Sequence, residues 1–157
     1  MKVKKLLAFV LSALMAVTML TACGGGSGIK TVSVDRGEIE ELFEYEGYEI
    51  NVTTSNEAAT AAKQVAELIQ EKDYGAITVD FLSAELAARL PQGVVGMYML
   101  APQADMEANS ITVEALAAAT ISSLHSAGFV SNDYGVVVVD VTTADEVACY
   151  LSVAVVQ

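Results

Sequence analysis

The strongest constraint on the fold lies near the C-terminus. Residues 135–141 form a Val-rich run, and a turn over residues 142–145 leads into a second apolar run over residues 146–156. β-Branched residues at this density fit a pleated, packed surface. In the second run Val147, Cys149, Leu151, Val153 and Val155 recur every second residue, the period of a strand face. A sheet is therefore the centre of the fold, and the remaining segments must pair with it or cover it.

Upstream, Val32 and Val34 flank Ser33 in a short strand over residues 31–35, and Tyr48, Ile50 and Val52 alternate with polar residues in a clearer one. Between them, residues 38–45 fit either period. As a strand, Ile39, Phe43 and Tyr45 share one face and Glu38, Glu40, Glu44 and Glu46 the other; as a helix, Ile39, Leu42 and Phe43 fall together behind an Asp35–Glu38 capping box. The dense aromatics and Gly47 tip the reading toward strand. Thr54-Ser55-Asn56-Glu57 then opens a helix whose apolar stripe is Ala58, Ala61, Ala62, Val65, Leu68 and Ile69.

Ile77, Val79 and Phe81 alternate as a further strand, and Ser83 caps a short helix that Pro91 ends. Residues 94–100 carry little polar content and read as a strand covered on both faces. Residues 102–110 read as a polar loop. The last helix starts near Thr112, buries Val113, Leu116, Ala117, Thr120 and Leu124, and closes at Gly128. The order is that of an α+β protein, a ferredoxin-like β-α-β-β-α-β sandwich with an extra C-terminal strand and its helices on one face of the sheet. The alternative is a small three-layer α/β fold in which the segment after Ser83 is a true crossover.

The N-terminus carries a different signal. Lys2, Lys4 and Lys5 precede an uncharged run over residues 6–20. As a helix that run spans about 22 Å, short of the ~30 Å hydrocarbon core, so a cleaved signal peptide fits better than a spanning anchor. It ends in Leu20-Thr21-Ala22-Cys23, followed by Gly24, Gly25 and Gly26. This resembles the lipobox of bacterial lipoproteins. The resemblance implies cleavage before Cys23, a diacylglyceryl thioether on its sulfur, and an extracytoplasmic domain held at the cell membrane by lipid. The expected organisation is a signal peptide over residues 1–22, a lipidated Gly-rich tether over 23–30 and a single α+β domain over 31–157.

Charge narrows the partners. Twenty acidic residues against eight basic ones give a formal charge of -12, and loss of residues 1–22 removes three of the basic ones to leave -15. Nucleic acid requires clustered Lys and Arg and is excluded as a partner class. The bilayer, through the Cys23 lipid, and a protein or cell-wall polymer are the expected partners. Glu38, Glu40, Glu44 and Glu46 are the candidate acidic surface for a basic partner. No metal-ligand spacing, phosphate-cradling Gly loop or cofactor motif stands out. His125, the one imidazole, has no nucleophile elbow near it, and Cys149, in phase with aliphatic neighbours, reads as a buried small hydrophobe. No catalytic set is assembled by sequence. The role expected is non-catalytic binding or assembly in the cell envelope; the alternatives are a hydrolase using Asp80 and Asp140 at strand ends, or a structural or sporulation-type envelope component.

Overall fold

The structure is a computed structural model and describes residues 29–157. The signal peptide, Cys23 and the tether as far as residue 28 lie outside the described residues. The elements are β1 (Lys30–Val32), α1 (Arg36–Tyr45), β2 (Asn51–Thr53), α2 (Asn56–Gln70), a 3-10 turn (Tyr74–Ala76), α3 (Val79–Arg89), β3 (Gly96–Pro102), α4 (Gln103–Ala108), α5 (Val113–Ser126), β4 (Asp133–Thr142) and β5 (Ala148–Val156). The chain is α+β, consistent with the ferredoxin-like expectation and its extra C-terminal strand. No helix among the described residues is long and apolar enough to cross a membrane.

β4 and β5 form the expected hairpin, in register from Tyr134↔Val156 to Thr142↔Ala148. β3 pairs antiparallel with the far side of β5. The near side of β4 is shared: β1 pairs antiparallel with its C-terminal half, and β2 pairs parallel with its start. It follows that β2, β3 and β4 point the same way. The chain crosses from β2 to β3 through α2 and α3, then returns to β4 through α4 and α5. Crossovers of one hand that run in opposite directions put their helices on opposite faces of a sheet.

That is the observed layering. Val137, Val139 and Val141 with Cys149, Leu151, Val153 and Val155 pack against α2 and α3. Tyr134, Val136, Val138 and Ala154 pack against α1 and α5 on the other side. The expectation that helices lie on one face is corrected here, and the three-layer arrangement describes their distribution. Both faces of β4 and β5 are covered, which is why these strands carry so little polar sequence.

Several local readings change. Residues 38–45 are helical: Asp35 caps α1 by accepting from the Glu38 N–H (3.2 Å), and Ile39 and Phe43, one turn apart, are both buried. The strand reading would have buried Tyr45 beside them, whereas it is 94% exposed. The alternation of Ile77, Val79 and Phe81 is not a strand either. Thr78, and not Ser83, caps α3 by accepting from the Phe81 N–H (3.1 Å), and Val79 is 73% exposed. Residues 102–110 contain the short helix α4. In α2 the capping side chain is Ser55, with Ala66 buried where Leu68 was expected.

α1 and α5 run parallel. At their N-termini the Asp35 N–H donates to the Glu114 carboxylate (3.1 Å); at their C-termini Tyr48 packs edge-on against His125, ring centroids 4.8 Å apart. On the buried side of α5, Thr120 Oγ1 lies 2.8 Å from both the Leu116 carbonyl and Ser152 Oγ, and it joins the helix to β5. Gly135 has a local reason. A Cβ there would stand 2.5 Å from the Cβ of Ser55, the cap of α2, so only glycine lets the chain leave β2 across β4.

Candidate functional site

β3 forms one outer edge of the sheet, and its seven residues, Gly-Met-Tyr-Met-Leu-Ala-Pro, include no charge. One side of the strand pairs with β5; the other pairs with no strand among the described residues. All seven residues are half-buried, so the two-faced cover expected from the sequence is only partial. The opposite edge differs, because β1 and β2 are three-residue strands that leave little continuous backbone to pair.

Strand alternation makes the β3 edge the floor of a groove. Tyr98 and Leu100 lean toward α2 and α3, while Met99 and Ala101 lean toward α5. The groove is about 520 Å³ and runs along Tyr98 to Ala101, with Tyr74, Ile77 and Leu82 on one wall and Leu116 on the other. The first wall is fixed at two points. Tyr98 Oη donates to the Val79 carbonyl (2.8 Å) and lies 3.2 Å from Ser83 Oγ. The Tyr74 N–H donates to Asp145 (2.9 Å), which also accepts from Thr143 Oγ1 (2.6 Å). Those bonds hold the Asp145 carboxyl below the usual aspartate range.

No charged residue lines the groove itself. Asp73 and Asp80 are exposed and adjoin its lining residues Tyr74 and Val79 in the chain, Asp105 is close enough to act on Tyr74, and Lys72 Nζ lies 4.8 Å over the ring of Phe81. Burial first, and then the charges of Cys149 and Asp105, push the Tyr74 phenol up. Past the C-terminal end of β3, Gln103 donates to Asp140 (2.8 Å), and Lys30 is the cross-strand partner of Asp140. Burial raises the Asp140 carboxyl, although the Gln103 bond and the Lys30 charge oppose it. Burial, followed by Asp145, Asp140 and Asp105, pushes the Cys149 thiol up to about 11, so it is a poor nucleophile.

The other sequence candidates fall elsewhere. Asp80 sits in the first turn of α3 and not at a strand end, and α3 packs on the face of the sheet opposite to the one Asp140 points to. The two carboxylates are therefore not brought together. Glu38, Glu40, Glu44 and Glu46 do not form one face: Glu38 and Glu40 fall on opposite sides of α1, Glu44 lies one turn beyond Glu40, and Glu46 is the C-cap after the helix. Glu40 accepts from the Val52 N–H (2.8 Å) and ties α1 to β2. Glu38 is turned toward Glu114: burial first, then Glu114, Asp35 and Glu41, raise its carboxyl above the usual range. Glu44 and Glu46 are exposed. Among the described residues no group of three or more His, Cys, Asp or Glu could hold a metal ion. The groove itself was only half legible: the apolar run marked a strand, but edge position depends on pairings far away in sequence.

No protein-family model, curated protein or solved structure matches the chain.

Proposed function

We propose that this chain is a membrane-anchored extracytoplasmic lipoprotein with a non-catalytic binding role, and that it receives an extended polypeptide segment on the edge of β3. One observation carries the binding role. A seven-residue, uncharged edge strand is left open in a domain whose formal charge is strongly negative. Proteins normally blunt such edges with charge, proline, bulges or short strands because an open edge recruits other chains. The β1/β2 edge is blunted by short strands, whereas β3 ends in Pro102 and its outer side pairs with no strand among the described residues.

Strand addition supplies main-chain hydrogen bonds, and the side pockets select the residues. With Tyr98 and Leu100 on one side of the edge and Met99 and Ala101 on the other, alternating apolar side chains suit the groove. Asp73, Asp80 and Asp105 then favour basic residues flanking that apolar centre. The anchor rests on the resemblance of residues 20–23 to the lipobox.

The test uses a synthetic peptide of five alternating Val and Thr residues flanked by two lysines at each end, titrated against the full chain in detergent. Saturable binding is expected, weakened at least about tenfold by Met99→Lys, which places on the edge the kind of charge that blocks strand pairing. Equal binding of a peptide flanked by glutamates, or an unchanged affinity in Met99→Lys, would contradict the reading.

A further inference from the structure

We infer that the polypeptide strand received on β3 runs antiparallel to it and carries its basic residues on the N-terminal side of its apolar stretch, over the C-terminal end of β3. The inference rests on the strand-addition reading and adds to it the direction and charge order of the partner.

The ladder shows which backbone groups face out. The Val156 N–H donates to the Val95 carbonyl (3.1 Å), and the register that pairs Gly96 with Val155 sets these two residues opposite each other. Bonded pairs recur at every second residue of an antiparallel ladder. Met97, Met99 and Ala101 therefore bond to β5, and Gly96, Tyr98 and Leu100 turn their N–H and C=O groups outward. Pro102 adds a carbonyl but no N–H. Side chains of an added strand that stand beside Tyr98 and Leu100 share their face, against Tyr74, Ile77 and Leu82.

Charge then differs between the two ends of this edge. Residues 90–104 carry none; Arg89 precedes them, and Asp105 and Glu107 follow. α3 runs back along the edge, from Val79, whose carbonyl accepts from Tyr98 Oη, to its end at Gly96, where a Cβ would stand 2.6 Å from Leu90 Cδ1. At that N-terminal end of β3 the Arg89 charge is paired with Glu85.

The C-terminal end is acidic. After burial, the charges that act on Cys149, the register partner of Pro102, are those of Asp145, Asp140 and Asp105. Those that act on Tyr150, opposite Ala101, are Asp140 and Glu107. Asp73 adjoins Tyr74 on the groove wall, and Asp80 lies in the first turn of α3. Two cations stand here, and both are engaged: Lys30 is the cross-strand partner of Asp140, and Lys72 lies over the Phe81 ring. At about 3.3 Å per residue β3 is roughly 20 Å long, more than twice the ~8 Å screening length at physiological ionic strength. A partner's basic residues thus gain attraction at one end of the edge and little at the other. Antiparallel pairing, which β3 already makes with β5 and which is the more stable per residue, puts the partner's N-terminus at the acidic end.

Two peptides test this against the full chain in nonionic detergent: five alternating Val and Thr residues with four lysines before them, and the same five with four lysines after them. Acetyl and amide ends remove the terminal charges, and equal composition makes any general attraction to an acidic domain the same for both. The peptide with leading lysines should bind about threefold to tenfold tighter. A chain carrying both Asp73→Asn and Asp105→Asn should bring the two affinities within about twofold. Equal affinities, tighter binding of trailing lysines, or a preference unchanged in the Asn variant would overturn the inference while leaving strand addition in place. Binding of neither peptide would overturn strand addition itself. A two-chain particle with the Gly96, Tyr98 and Leu100 amides already protected would give the edge to a second copy, and the inference would fall.

Discussion

Glu38 and Glu114 show how one residue can be placed against its own electrostatic interest. Glu114 belongs at the start of α5, where a carboxylate complements the helix dipole and accepts the Asp35 N–H. It is 5% exposed, and its second oxygen has no hydrogen-bond partner among the described residues. Glu38, in the first turn of the neighbouring helix, faces the same region and is raised by burial and by Glu114. A carboxyl whose folded pKa lies above its unfolded value stabilises the fold while protonated, and that contribution is lost as pH rises through the folded value. Glu38→Gln should therefore raise the urea midpoint at pH 7, modestly because the residue is partly exposed. Below the ordinary glutamate pKa, roughly 4.3, the two proteins should unfold together. A lower midpoint for the variant at pH 7 would show that the charge is favourable there. The Glu38 position was legible as a capping-box partner of Asp35, but its proximity to Glu114 was not, because that contact joins segments 76 residues apart in sequence.

At the scale of elements, the informative cases are those where two periods competed. Residues 38–45 satisfy both a two-residue and a 3.6-residue pattern, and the Asp35 cap together with burial on Ala117, Ile121 and Leu124 selects the helix. Ile77, Val79 and Phe81 alternate by coincidence, and the cap at Thr78 with the Ala- and Leu-rich run behind it prevails. By contrast α2, α5, β4 and β5 were readable because their caps, stripes and β-branched runs agree with one another. One buried polar link in this framework is open to test. Thr120→Val takes the Thr120 hydroxyl from the buried Ser152 hydroxyl, whereas Ser152→Ala leaves Thr120 still bonded to the Leu116 carbonyl. Thr120→Val should cost about 1–3 kcal/mol and Ser152→Ala less, and the double variant should cost less than their sum. Denaturant unfolding of the four proteins checks this; additive costs would mean that the two hydroxyls do not act as a pair.

For the molecule as a whole, the two return paths of the chain decide what is covered and what is left open. Helices on both faces hide the centre of the sheet, the short β1 and β2 strands blunt one edge, and β3 is left along the other. The class of the fold could be read from the order of elements. The layering and the open edge could not, since both follow from strand order, which local sequence does not encode. The proposed anchor belongs to this scale as well. Cys23→Ala should move the protein out of the membrane fraction, and a variant that stays bound with an unchanged lipid mass would contradict the lipoprotein reading. The central claim is that β3 is a pairing edge, and amide hydrogen exchange along Gly96–Pro102 tests it most directly. In the free chain every second amide should exchange fast, and the lysine-flanked peptide should slow that outward set about tenfold or more. Fast exchange at the same amides with the peptide bound, or slowing confined to other parts of the molecule, would contradict the account.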